Sequence, residues 1–214
     1  MTGIMMESAS KPKTSSKLEA KRIRNRDAIK QAAWYVFAHH GLDGSTVRDI
    51  VAHSGISIGT FYNYYGTREA VFQELLADLT TEIRRRSNEA RGKETELEAM
   101  LQSSYRGFLE FILGIEHALD FCARNQHHIR SYLFKLSATT GIVDDLILDL
   151  QRTLPNNSFG QGELKQIATL IVANGLELLL QSRDEAEADI FTASVLLVRV
   201  LVGGIANLGS GNQN

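Results

Sequence analysis

The chain has 214 residues and a mass of 23.7 kDa, enough for one large or two small domains with a sizeable buried core. Hydrophobic residues make up 43% and charged residues 22%, a globular balance that excludes a wholly disordered or fibrous chain. The single cysteine, Cys122, excludes an intramolecular disulfide and a multi-cysteine metal site. The net charge of -2 conceals an asymmetry: residues 1–68 hold ten Lys/Arg against five Asp/Glu, a net of +5, and the remainder carries -7. A basic N-terminal part beside an acidic remainder fits a polyanion-binding module joined to something else, and fits equally a solvated tail with an excess of lysine.

Only Pro12 and Pro155 interrupt the chain, so long helices are free to form and an all-α fold is expected. The opening stretch MTGIMMESASKPKTSSK lacks an apolar run of signal-peptide length, so no export signal is expected. A reducing, cytoplasmic home follows as the expectation. The most apolar run, residues 195–205, has eleven residues and contains Arg199. A membrane span takes about 20, so a buried or interface helix is expected there, and no membrane partner.

Residues 1–20, rich in Ser, Thr and Lys, are expected to form a flexible basic tail. Beyond about Asn25, residues Ile29, Ala32, Ala33, Val36 and Phe37 recur at helical spacing. They predict an amphipathic helix ended by Gly41 in a left-handed turn. Ser45 or Thr46 is placed to cap a short helix through His53, and Ser57 to cap a second from Ile58 to about Tyr64. Gly55 supplies the tight turn between them, and two short helices joined in this way have the form of a helix-turn-helix. Gly66 breaks the chain again, and Thr67 can cap a longer helix through about Arg91.

Residues 29–72, IKQAAWYVFAHHGLDGSTVRDIVAHSGISIGTFYNYYGTREAVF, resemble the DNA-binding domain of the TetR family of bacterial transcriptional regulators. The resemblance rests on Ala32–Ala33, Phe37, Gly41, Thr46–Val47–Arg48–Asp49–Ile50, Gly55–Ile56–Ser57, Gly59–Thr60–Phe61–Tyr62 and Tyr64–Tyr65. Val51 and Ser54 stand where the family has small alanines, Tyr65 where it has Phe, and Arg68 where it has Lys. Val51 would push the two helices slightly apart, and Tyr65 needs a place for its hydroxyl.

The resemblance implies that the second helix of the motif lies in the major groove. Base contacts are then expected from Arg48, Ser57, Ile58, Thr60 and Asn63, and phosphate contacts from Thr46, Tyr62, Tyr64 and Arg68. Some of these residues keep a second reading. Ile58 either meets a thymine methyl or packs in the core. Arg48 either reaches a base or pairs with Asp49 or Glu69 on the surface. Lys17, Lys21, Arg22 and Arg24 either follow the duplex or are simply solvated. Phe61 and Tyr65, four apart, are assigned to the core.

From Glu94 onward helical patterns follow one another. Leu97, Leu101, Tyr105, Phe108, Phe111, Ile112 and Ile115 form a broad apolar stripe that Gly114 bends or interrupts. A short piece around residues 118–122 leads to a helix from about Gln126 to Leu154, ended by Pro155, and residues 158–162 read as a loop. The last two helices, about Glu163–Gln181 and Ala186–Leu208, are apolar on more than one face and need covering on all sides. Either they form an ordinary monomer core, or a second copy covers them, as the resemblance implies. Leu164, Ile171, Leu178, Val195, Val198, Leu201 and Val202 are the residues assigned to that homodimer interface.

The aromatic stripe is either core or the wall of an effector cavity, and the resemblance implies a cavity. The candidate lining is Tyr105, Phe108, Phe111, Ile112, His117, Phe121, His128 and Tyr132, suited to a small hydrophobic or aromatic effector. The adjacent pairs His39–His40 and His127–His128 should point to different faces of a helix, so they make poor metal pairs. No metal and no cofactor is expected.

The expected architecture is all-α: a flexible tail 1–20, a three-helix helix-turn-helix DNA-binding domain 21–68, a helical ligand-binding and dimerisation domain 69–208, and a flexible tail 209–214. The expected function, by resemblance, is that of a TetR-like repressor, cytoplasmic and nucleoid-associated. It would bind pseudo-palindromic double-stranded operator DNA as a homodimer and be released by a small-molecule effector. The alternatives are a DNA-associated scaffold without a ligand and an enzyme with its site in the C-terminal helices. No nucleophile elbow, phosphate loop or HExxH motif supports the enzyme.

Overall fold

Capping residues set the starts of the short helices near the N-terminus. In the computed structural model, which describes residues 13–135, 141–155, 159–181 and 187–211, helix α1 spans Lys13–His40, α2 Val47–Ser54, α3 Ile58–Tyr62 and α4 Arg68–Arg91. The Thr46 hydroxyl accepts the Asp49 N–H while the Asp49 carboxylate accepts the Thr46 N–H, a reciprocal capping box for α2. Ser57 caps α3 through the Thr60 N–H and Thr67 caps α4 through the Ala70 N–H. Gly41 (φ 71°) and Gly55 (φ 68°) take the left-handed turns that end α1 and α2.

The C-terminal part continues with α5 (Leu97–Leu113), α6 (Ala118–Lys135), α7 (Ile142–Thr153), α8 (Gln161–Gln181) and α9 (Glu187–Gly211). All nine elements among the described residues are helices. Three boundaries differ from expectation. Helix α1 starts at Lys13, inside the segment expected to be a tail, because no Gly or Pro lies between Lys13 and His40 to stop it. Residues 1–12 and 212–214 of the expected tails lie outside the described residues, and 209–211 belong to α9. The single helix expected over 126–154 is two: Gly141, at φ 64°, is the left-handed residue from which α7 starts. Within α6, Asn125 is non-helical (φ -114°, ψ 15°) and kinks the element.

Two apolar cores hold the helices. The first gathers Ile29, Phe37, Ile50, Phe61, Phe72, Phe121 and Leu179 from α1 to α4, α6 and α8. It runs unbroken through the boundary expected at 68/69, so α1–α3 are seated on the rest of the chain. The second joins Met100, Leu101, Val143, Leu150, Leu164 and Val198 of α5, α7, α8 and α9. Each such side chain contributes about 1.5–3 kcal/mol on burial.

The seat of α1 is specific as well as apolar. Arg26 pairs with Glu74 at 2.6 Å, and Lys30 with Asp78, tying α1 to α4. Trp34 stacks on Phe121 with ring centroids 4.1 Å apart and donates its indole N–H to the Glu116 carbonyl at 2.8 Å. The fully buried Asn125 amide donates to the Phe37 carbonyl (3.0 Å) and the Phe121 carbonyl (2.8 Å), while its oxygen accepts the Leu42 N–H (2.7 Å). The kink in α6 falls at this residue, which bonds the end of α1 as well as the Phe121 carbonyl of its own helix.

Four residues assigned to a dimer interface, Leu164, Ile171, Leu178 and Val198, are buried inside the single chain. Leu201 and Val202 are partly covered against the second core, and Val195 is exposed. Helical spacing grouped the apolar positions into faces without saying which face turns inward. The outward apolar residues are Leu170 on α8 and, on α9, Val195 from the assigned set together with Leu196, Val200 and Leu208. Helix α9 also corrects the length argument. Asp189–Gly209 is 21 residues with mean hydropathy 1.8, long and apolar enough by composition to cross a membrane, because Ile190, Phe191 and small residues extend the eleven-residue run and Asp189 is the one charge they add.

Candidate nucleic-acid interface and interior cavity

The α2–α3 unit presents one face inward and one outward. Phe61 and Tyr65 are buried as assigned, with Phe61 fully enclosed. On the other side Ile58 is 45% and Tyr62 55% exposed, and Arg48, Ser57 and Asn63 are exposed too. The core alternative for Ile58 is therefore excluded. So is the surface ion pair for Arg48: Asp49 caps Thr46, and Glu69 pairs with Arg68 at 2.8 Å. Among the described residues Lys17, Lys21, Arg22, Arg24 and Arg48 are exposed and form no ion pair.

The hydroxyl groups assigned to DNA are engaged locally. Ser57 and Thr60 lie 2.8 Å apart, oxygen to oxygen, and the Thr46 hydroxyl donates to Asp49 at 2.7 Å. Arg68 is committed further: its guanidinium donates to the Ser45 carbonyl and pairs with Glu69, so it braces the turn before α2. Tyr64 is half-buried. The Tyr65 hydroxyl, whose destination was open, is buried beside the Arg26–Glu74 pair with no hydrogen-bond partner among the described residues. Burial pushes its pKa up to about 12.

A cavity of about 120 Å³ lies between α4, α5, α6, α7 and α8. Tyr105, Phe108, Ile112, Phe121 and Tyr132 line it as assigned, joined by Leu76, Ile83, Ile129, Gly175, Leu176 and Leu179. Its polar groups are few: Thr80, Ser87, Ser104, Arg91 and the Cys122 thiol, which burial pushes up to about 12. Arg91 is already held by Asp149 (2.6 Å), Asn88 (2.5 Å) and Ser104 (3.3 Å). Ile171, assigned to the interface, lines this cavity.

Three cavity assignments are corrected. Phe111 lies outside the lining, under the Arg86 guanidinium at 4.7 Å from its ring centroid. His117 sits in the α5–α6 turn at φ 61°, its ring edge-on to Tyr35 and His39. His128 faces away from the cavity, bonded to Asp43 and edge-on to Phe72. In α6 the inward stripe is Phe121, Cys122, Ile129, Tyr132 and Leu133, and His128 falls off it.

The expectation that His127 and His128 diverge is also overturned. Their ring centroids are 3.8 Å apart, and both Nε2 atoms reach the Asp43 carboxylate, at 3.2 and 3.1 Å. The hydrogen bond from His128, more than any other influence, holds the Asp43 carboxyl below the usual carboxylate range. This group, one residue from the α1–α2 turn and two from α6, could hold a metal ion. Trp34 and Asn125 were not singled out in the sequence, although both fix the seat of α1. The partners through which they do so lie 82 to 88 residues away in the chain, and no local pattern marks them.

Residues 29–75 match the family model described as bacterial regulatory proteins, tetR family. The repressor AcnR of Corynebacterium efficiens is 33% identical over 90 residues, 42% of this chain and 43% of that protein. The repressor KstR2 of Mycolicibacterium smegmatis is 40% identical over 53 residues, 25% of this chain and 26% of that one. Residues 29–75 carry the TetR-family signature. The match spans less than half the length of these TetR-family relatives. The fold extends the likeness over most of the chain. A TetR-family regulator from Syntrophomonas wolfei superposes with a TM-score of 0.69 at 19% identity, covering 84% of this chain and 95% of that one. The regulator FadR of Bacillus subtilis, solved in complex with stearoyl-CoA, gives 0.69 at 16% identity, covering 83% and 97%.

Proposed function

We propose that this protein is a homodimeric TetR-family repressor that reads double-stranded operator DNA with α3 and releases it when a small apolar or aromatic effector enters the α4–α8 cavity. The observation that carries the reading is the division of α3, with Phe61 locked in the core and Ile58, Tyr62 and Asn63 turned outward. Such a fixed helix suits the major groove, with Tyr62 and Tyr64 on phosphate and Ser57, Ile58, Thr60 and Asn63 at base edges. Arg68 then supports the turn from behind, and Arg48 with the basic residues of α1 supplies exposed positive charge. A cytoplasmic, nucleoid-associated protein with no enzymatic activity is the matching cellular role.

The outward apolar face of α9 supports pairing of two copies through α8 and α9, because an exposed patch of that kind needs cover. The cavity supports the effector. An engineered cavity of about 150 Å³ accommodates one benzene, so at 120 Å³ anything larger than a single ring has to spread the surrounding helices. Helix α4 lines the cavity from Leu76 to Arg91 and carries Glu74 and Asp78, which hold α1. Spreading it shifts the DNA-binding unit, and the effector acts only through its differential affinity for the two arrangements. Selection from randomised duplexes tests the reading: two inverted half-sites about one helical turn apart, 34–36 Å, are expected. Recovery of no common sequence would contradict it.

A further inference from the structure

We propose that Asp43, His127 and His128 form a binding site for a single zinc-class divalent ion that clasps the α1–α2 turn to α6. The three ligand atoms lie within 4.8 Å of one another. A tetrahedral ion bound at about 2.0–2.1 Å by imidazole nitrogen or carboxylate oxygen sets its ligands about 3.3 Å apart. The two imidazole-to-carboxylate separations, 3.2 and 3.1 Å, are already close to that edge. Little movement is required to admit the ion, and the exposure of Asp43 and His127 gives it a path from solvent.

The backbone explains how two adjacent histidines converge. Asn125 breaks the regular course of α6, so His127 and His128 sit in the first turn of its second segment, directly across from the turn that Asn125 anchors at Leu42. Two imidazoles and one carboxylate leave a fourth position for water. That donor set favours zinc, cobalt or nickel over magnesium and calcium, which take oxygen ligands. The other histidine cluster lacks this arrangement: among the described residues no carboxylate joins His39 and His53 in a ligand group.

An ion there would hold together the end of α1 and α6, the two sides of the joint on which the DNA-binding unit is seated. The test is a titration of the full chain with Zn²⁺ alone in a non-coordinating buffer, followed by calorimetry. One ion per chain is expected. Asp43→Ala and His127→Ala should each lower the affinity at least tenfold, while His39→Ala leaves it unchanged. Both substituted ligands are exposed, and an unchanged helical circular-dichroism signal verifies that the variants fold. Co²⁺ should give the strong visible absorption of a tetrahedral site, lost in the same two variants, and amide exchange at residues 41–46 should slow on Zn²⁺ binding. Absence of binding, undiminished binding in either ligand variant, or unchanged exchange would overturn the proposal. None of these readouts involves DNA, so they stand apart from the operator test.

Discussion

Tyr65 shows how a single hydroxyl distinguishes this chain within its family pattern. A Phe usually stands at its place in the motif, and here the phenol is carried into the core at 5% exposure without a hydrogen-bond partner among the described residues. An unsatisfied buried donor costs about 1–3 kcal/mol, and a group of the same shape without it removes that cost. Tyr65→Phe should therefore leave the unfolding free energy from denaturant titration unchanged or raise it by about 1 kcal/mol. A loss of more than 1 kcal/mol would mean that Arg26 or Glu74 satisfies the hydroxyl in solution. Here the sequence posed the question and only the packing answered it. Ile58 and Arg48 were undecided in the same way, since whether an apolar or charged residue faces out depends on neighbours that spacing does not name.

The elements were legible to the degree that their signals are local. Gly41, Gly55, Thr46, Ser57 and Thr67 mark turns and caps by their own chemistry, and the helices begin and end beside them. Gly141 carried the same kind of signal inside the Ser137–Gly141 stretch, and the unbroken apolar pattern on either side concealed it. Asn125 was illegible for a different reason: its partners Phe37 and Leu42 are brought to it by the tertiary fold. Its oxygen is the acceptor for the buried Leu42 N–H, whereas the Phe37 carbonyl keeps the Gly41 N–H as a second donor. Asn125→Ala should thus orphan one backbone donor and destabilise the protein by about 1–3 kcal/mol. Amide exchange should accelerate first at the end of α1. Exchange that rises uniformly over all helices would contradict a local joint.

At the scale of the molecule, the all-α plan and the helix-turn-helix were readable, while the outward face of α8 and α9 and part of the cavity wall were not. Helices α8 and α9 are apolar on two faces, and the composition of each face is alike, so the inward one could be chosen only from the packing. Leu196 and Val200, at 62% and 63% exposure, now mark the outward face. Each apolar side chain buried in a symmetric dimer counts twice, at about 1.5–3 kcal/mol apiece. Leu196→Glu should raise the dimer dissociation constant at least a hundredfold in sedimentation equilibrium with the helical content intact. Leu178→Glu, by contrast, should unfold the chain, because that side chain is interior. A Leu196→Glu protein that sediments as wild type would move the interface elsewhere.

The central claim is that α3 reads base edges from a rigid seat. It is tested most directly by measuring, at one fixed salt concentration, the affinity of wild type, Tyr62→Phe and Asn63→Ala for a selected operator and for a scrambled duplex of the same composition. The account predicts that Tyr62→Phe weakens both duplexes alike, and that Asn63→Ala lowers operator affinity by about 1–3 kcal/mol while leaving the scrambled duplex unchanged. Equal affinity of the wild type for the two duplexes, or an operator preference that survives Asn63→Ala undiminished, would contradict it.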